Sequence, residues 1–158
     1  MGLFEKAVCF AVKAHGDTKR RNESVPYIVH PLETAVIAAS MSDDVELLAA
    51  AVLHDTVEDT SVEMKDILDN FGPRVAMLVA SETEDKMRQR PPEETWRARK
   101  EESLDVLDNA DDIAVKMLWL GDKLSNMRAM ATNYREQGEQ VWQRFNQKDP
   151  AKHAWYYR

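Results

Sequence analysis

The chain has 158 residues, 31% of them charged and 44% hydrophobic, with a net charge of −7. That length supports one domain, residues 1–158, with a core that needs no disulfide staples, and the acidic balance excludes a general nucleic-acid partner, which demands a basic face. No 18-residue apolar run marks a membrane span, no basic and apolar leader follows Met1, and a lone cysteine, Cys9, rules out an internal disulfide, so a cytoplasmic protein with a buried structural thiol is expected.

In chain order the pattern is helical throughout, with no convincing alternating strand. Residues 2–15 place Leu3, Ala7, Phe10, Ala11 and Ala14 on one face at helical spacing. A polar loop over 16–29 carries the basic knot Lys19-Arg20-Arg21 and ends in the extended run Val25-Pro26-Tyr27-Ile28. Pro31 suits the first position of a helix running to about Ser40, with His30 at or beside its cap. Asp43 with Glu46 resembles a capping box, opening a helix that ends in His54-Asp55. Thr60-Ser61-Val62-Glu63 repeats that pattern before a short helix that stops at Phe71-Gly72.

Pro73 then restarts the chain into a helix through about Glu84, and Pro91-Pro92 breaks it before a helix over 94–109. The longest helix is expected over 112–134, with Ile113, Met117, Leu120, Leu124 and Met127 on its buried face. The aromatic tail (Trp142, Phe145, Trp155, Tyr156, Tyr157) fits a final helix packed on the rest. The class is all-α, a bundle of about eight helices.

Chemistry concentrates in Ala49-Ala50-Ala51-Val52-Leu53-His54-Asp55-Thr56-Val57-Glu58-Asp59-Thr60. On a helix His54 and Glu58 lie one turn apart, as do Asp55 and Asp59. Charges at the end of a buried apolar helix are costly unless compensated, and a cation is the usual compensation. His30 belongs with this group, as do Asp122 and Asn126, which share a face at i and i+4. Gly121 beside them is unfavourable in a helix by about 1 kcal/mol relative to alanine, which a close approach by another helix or a ligand would explain. Two imidazoles and two carboxylates suit Mn²⁺, Fe²⁺ or Zn²⁺ better than an all-oxygen Mg²⁺ cage. Four ligands leave room for a water and a substrate oxygen, the layout of a hydrolase. Taken singly, each piece has a plainer reading: His30 as a cap, Asp122 paired with Lys123 or Arg128.

Together these runs resemble the HD-domain metal-dependent phosphohydrolases, and within them the RelA/SpoT-type branch that hydrolyses the alarmones ppGpp and pppGpp. The resemblance covers about residues 5–130. Its marks are Ala14-His15-Gly16, the Pro-Tyr-Ile-Val-His-Pro-Leu run, Ala-Val-Leu-His-Asp-Thr-Val-Glu-Asp-Thr, Phe-Gly-Pro-Arg-Val-Ala, Thr83-Glu84-Asp85-Lys86 and Gly-Asp-Lys-Leu-Ser-Asn-Met-Arg. The Glu-Asp-Thr after the His-Asp pair is the specific part, because generic members lack it. Small size matches the stand-alone hydrolases of this branch.

The resemblance implies an HD-type bundle in which His30, His54, Asp55 and Asp122 bind the metal, usually Mn²⁺, with other divalent transition metals possible. It implies that Glu58 and Asp59 activate or orient the attacking water and that Asn126 contacts the substrate near the scissile group. Arg20, or Arg21 if the loop is one residue different, would pack on the guanine base. The implied reaction removes the 3′-pyrophosphate, returning GDP or GTP. Such a reaction needs cations for the charge that moves to the leaving group, and Lys86, Arg88, Arg97, Arg99 and Lys100 could supply them if their segment folds over the pocket.

Gly121 stands where the branch commonly has alanine and Ser125 where it has His or Tyr, and the C-terminal part resembles small bacterial HD proteins more closely. The alternatives are the same chemistry on another phosphorylated nucleotide, or a nucleotide-binding module without turnover. A two-metal phosphodiesterase would need further histidines, and only His15 and His153 remain. His15 fits a helix C-terminus, where positive charge is favourable. The partner expected is a small phosphorylated nucleotide, and nothing in the sequence sets an oligomeric state.

Overall fold

The computed structural model describes residues 1–20, 24–87 and 89–158, so Arg21 and Arg88 lie outside the described residues. These contain no strand beyond a single bridge between Lys19 and Pro26. Their helices are α1 (Leu3–His15), α2 (Val29–Ala39), α3 (Val45–Leu53), α4 (Thr56–Asp59), α5 (Met64–Phe71), α6 (Pro73–Glu82), α7 (Pro92–Asp108), α8 (Ile113–Gln137) and α9 (Pro150–Tyr157). A 3₁₀ segment, Gly138–Arg144, joins α8 to the tail. The all-α bundle agrees with expectation. It has one element more than the eight expected because the single turn of α4 stands apart from α3.

The hub is α3. A helix that is apolar on every side must be enclosed, and Leu47 and Ala49 through Leu53 have no solvent exposure. Helices α1, α2, α6 and α8 surround it. Its C-terminal end therefore delivers His54 into the middle of the molecule.

Start signals fall close to, but not always on, the expected residues. The cap of α3 is Asp44, not Asp43, its carboxylate accepting from the Glu46 and Leu47 amides. The second box forms between Glu63 and Asp66 at the start of α5, while the Thr60 hydroxyl makes a turn to the Val62 amide. In both places the expected residue lies just outside the helix and the acid that can reach the free amides takes over. Helix α2 begins at Val29, two residues before Pro31.

Three further expectations are corrected. Cys9 is exposed, because the inward face of α1 runs through Ala7 and Ala11 and position 9 lies on the opposite side. His15 ends α1 but is buried against Tyr27, with ring centroids 4.9 Å apart. Desolvation lowers its pKa despite Asp55 and Asp59 nearby, which favours the neutral ring over a charged cap. On α8, Ile113, Leu120 and Met127 are 61%, 47% and 40% exposed. The buried stripe is instead Ala114, Val115, Leu118, Gly121, Asp122 and Ser125. Apolar periodicity misled here because this helix turns its polar residues inward.

What permits that is the crossing of α2 and α8. A β-carbon on Gly121 would lie 3.1 Å from the Thr34 carbonyl oxygen, so the two backbones approach as closely as glycine allows. The close approach expected at Gly121 is thus by a helix, and it sets His30 of α2 opposite Asp122 of α8.

Candidate metal centre and its cleft

Four side chains converge at the C-terminal end of α3. One potential ligand atom each from His30, His54 and Asp122 lies within 4.8 Å of the other two, and all three residues are buried. His30 Nε2 is 3.1 Å from Asp122 Oδ1 and 3.4 Å from Asp55 Oδ2. His54 Nε2 is 3.1 Å from Asp55 Oδ2 and 3.5 Å from Asp122 Oδ1. Asp55 thereby adjoins the trio.

The donor set fits a divalent transition metal, and the imidazoles carry the argument. His54 Nδ1 lies 2.8 Å from the Ala51 carbonyl, which can only accept, so Nδ1 carries a proton. In the neutral ring Nε2 then presents a lone pair, and that buried atom has no hydrogen-bond partner. A lone pair and two carboxylates aimed at one point repel one another unless a cation or a proton sits among them. Burial would lower the His54 pKa, but Asp55 and Asp122 outweigh it and raise it well above the usual value. Burial would raise Asp55, and His54 and His30 hold it well below the carboxylate range. This cluster demands positive charge at its centre.

Surrounding groups hold these four side chains in place. The Tyr27 hydroxyl is 2.6 Å from Asp55 Oδ2 and 3.1 Å from Asp59 Oδ2 and can donate to either. Burial, with those two carboxylates, raises the Tyr27 pKa far above its ordinary value and keeps that proton on. Asn126 donates through Nδ2 to Asp122 Oδ1 at 2.7 Å and accepts through Oδ1 from Arg20 at 2.8 Å. Lys123 contacts Asp122 Oδ2 and reaches Glu82 at 3.2 Å.

Glu58 and Asp59 follow one turn after His54 and Asp55. Lys86 Nζ is 2.5 Å from Asp59 and 3.3 Å from Glu58. The Glu84 amide donates to Glu58 at 3.1 Å. Burial raises the Glu58 pKa, reinforced by Asp55 and resisted by the Glu84 amide and Lys86. A carboxylate with a raised pKa beside such a histidine–carboxylate cluster is suited to accept a proton.

A cleft of about 200 Å³ opens over these groups, lined by His30, Asp55, Glu58, Asp59, Asp122 and Asn126 among others. Lys100 reaches it as well. Arg97 does not: it pairs with Glu101 at 2.6 Å and lies 3.4 Å over the Trp155 ring. On α7 the inward residues are Thr95, Trp96 and Arg99, which leaves Arg97 on the outer face. Arg99 and Lys100 both grip Glu84, at 2.5 and 2.7 Å. A second cavity of about 150 Å³ adjoins the first, sharing Asn126 and Tyr157 and lined also by Arg20, Met130 and Phe145.

Sequence reasoning missed Tyr27, Glu82, Tyr156 and Tyr157 as cleft residues. Tyr27 had a signal, standing three residues before His30 in the same run. Glu82 had none, and the two tyrosines reach the cleft only because α9 folds back onto α7 and α8, with Tyr156 against Trp96 and Trp119.

This fold and cluster define a helical domain built around a buried histidine–carboxylate centre. The HD-domain family profile matches residues 7–150, and the chain belongs to that family. Among its relatives, a guanosine-3′,5′-bis(diphosphate) 3′-pyrophosphohydrolase of Aquifex aeolicus is 37% identical over 126 residues, 80% of this chain and 17% of the relative. The protein of the same name from Vibrio cholerae is 39% identical over 116 residues, 70% of this chain and 16% of the relative. A GTP pyrophosphokinase of Streptomyces coelicolor is 37% identical over 136 residues, 85% of this chain and 16% of the relative. The chain thus spans about a sixth of the length of these curated relatives. Among solved structures, a metazoan ortholog of SpoT described as hydrolysing ppGpp aligns with TM-score 0.73 and 26% identity, over 91% of this chain and 83% of that one. The protein lmo0812 of Listeria monocytogenes aligns with TM-score 0.68 and 32% identity, over 80% and 77%.

Proposed function

We propose that the protein is a metal-dependent hydrolase that removes the 3′-pyrophosphate from guanosine alarmones, with Mn²⁺ held by His30, His54, Asp55 and Asp122. The observation that carries the chemistry is the buried, unpartnered Nε2 of His54 facing two carboxylates. A divalent cation there would supply Lewis-acid charge to a phosphoryl oxygen and make water more acidic. Two relatives bear the name of this activity, and the metazoan neighbour is described as hydrolysing ppGpp.

The chain's own residues divide the remaining work. Glu58, its proton affinity raised by burial, takes the proton of the attacking water. Lys86 draws Asp59 toward Glu58 and keeps positive charge at the rim. Asn126, joining Asp122 to Arg20, orients the substrate at the scissile group. Lys100 shares its charge between Glu84 and the cleft, where it can meet the departing pyrophosphate. Arg20, Phe145 and Tyr157 offer flat and cationic surfaces for the base in the adjoining cavity, which shares Asn126 with the cleft. The second reading, another phosphorylated nucleotide, is favoured by that cavity's tail-derived wall.

The test is product identification with metal-stripped protein, Mn²⁺ restored, against ppGpp and a panel of other phosphorylated nucleotides. GDP plus pyrophosphate from ppGpp is the expected result. Turnover of another nucleotide alone would keep the chemistry and discard the substrate. Silence across the panel would favour a binding module.

A further inference from the structure

The two histidines of the cluster are held by different means. His54 Nδ1 is tied to a backbone carbonyl that no substitution removes. His30 Nδ1 instead meets a side chain, Ser125 Oγ, at 2.8 Å, and Ser125 is fully buried. Ser125 Oγ in turn lies 2.6 Å from Glu33 Oε2, whose other oxygen is 3.2 Å from Arg128. Glu33 sits one turn after His30 on α2 and Ser125 one turn after Gly121 on α8, so the chain of contacts spans the close helix crossing.

We propose that Glu33 and Ser125 are positioning residues that fix the tautomer of His30 and thereby tune how tightly the site holds a divalent cation; this rests on the reading of His30 as a metal ligand. A serine hydroxyl has one proton. The Glu33 carboxylate accepts only, so at 2.6 Å it takes that proton. Ser125 Oγ is then left with lone pairs toward His30, and Nδ1–H must be the donor. The lone pair of the ring falls on Nε2, the atom facing Asp55 and Asp122. Without Glu33, the hydroxyl is free to turn and donate to Nδ1, which places the proton on Nε2 and turns a ligand into a repulsive group. Outer partners that orient metal-bound histidines are typically worth about 10–100-fold in metal affinity. Glu33 is also the solvent-facing end of the relay, its side chain 34% exposed, so its removal leaves the core packing alone.

The test compares wild type, Glu33→Ala, Ser125→Ala and the double variant, all metal-stripped. The readouts are the ¹⁵N shifts of the His30 ring with Zn²⁺ restored, a diamagnetic ion that takes the place between the carboxylates, and Mn²⁺ affinity from the free-ion paramagnetic signal. Wild type is expected to show a protonated Nδ1 and a metal-bound Nε2. Glu33→Ala should shift that pattern and weaken Mn²⁺ binding about 10-fold or more, with its melting temperature little changed. The double variant should bind Mn²⁺ no worse than Ser125→Ala alone, since both changes break one chain. Unchanged tautomer and affinity in Glu33→Ala, or additive losses in the double variant, would overturn the relay while leaving the metal site intact. A wild-type protein that binds no Mn²⁺ would overturn the metal reading itself and the relay with it.

Discussion

At the scale of single residues, His54 and Glu58 would carry separable duties in the proposed hydrolase. His54 has its Nδ1 committed to Ala51 and only Nε2 to offer, so it can bind but has no second function. Glu58 is held by the Glu84 amide and by Lys86 and is kept basic by burial. His54→Ala should therefore weaken Mn²⁺ binding by more than the ~10–100-fold typical of outer partners, and abolish turnover with it. Glu58→Gln should leave Mn²⁺ binding nearly intact while lowering the turnover number by about 10²–10⁴-fold, the range for a general base. Parallel titration and rate measurements on both variants check this. Equal metal loss in the two would refute the division.

Two joints between elements decide whether those residues meet. One is the α2–α8 crossing, where Gly121 touches the Thr34 backbone. Gly121→Val would drive a branched side chain into a carbonyl that cannot turn aside. Overpacking of this kind costs about 1–3 kcal/mol, and the melting temperature should fall by several degrees, with Mn²⁺ affinity falling too because His30 and Asp122 are separated. The other joint is Glu84, just past the end of α6, gripped by Arg99 and Lys100 of α7. Burial pushes its carboxyl up, but Lys100 and Arg99 more than offset that and hold it below its ordinary value of 4.5.

For an acid whose folded pKa is depressed, the stabilisation is present above the unfolded pKa and lost as pH falls through the folded one. The melting temperature should thus hold above about pH 4.5 and drop below it, and Glu84→Gln should reduce that drop. A melting curve against pH whose acid drop is identical in Glu84→Gln would contradict the role.

Legibility in the sequence follows the same joints. Proline and glycine punctuation and the apolar run of α3 were enough to place most of the helices, because those signals act locally. The convergence of His54, Asp55 and Asp122 was readable because His54-Asp55 ends an apolar helix and Asp122 and Asn126 share one turn. What escaped depends on contacts between distant segments. Ile113, Leu120 and Met127 have perfect helical spacing, yet α8 turns them outward to bring Asp122 and Ser125 in. Arg97 sits in a basic segment, but one helical rotation sends it to Trp155 rather than to the cleft. Tyr156 and Tyr157 become cleft residues only through the return of α9.

For the molecule as a whole, charge is arranged by depth. The net charge is −7, and carboxylates dominate the cleft, with Asp55, Glu58, Asp59, Glu82, Glu84 and Asp122 all lining it. Such a cleft repels a phosphorylated ligand unless a multivalent cation is bound first, so in the proposed hydrolase metal loading would be the condition for substrate entry and not only for chemistry. No helix among the described residues is long and apolar enough to cross a membrane.

The most direct measurement is to titrate Mn²⁺ into metal-stripped protein and follow bound metal and pyrophosphate release from ppGpp in the same samples. Both should rise together and saturate at one metal per chain, with no release in chelator. Full turnover in chelator, or saturating metal binding that leaves the rate unchanged, would contradict a hydrolytic metal centre at His30, His54, Asp55 and Asp122.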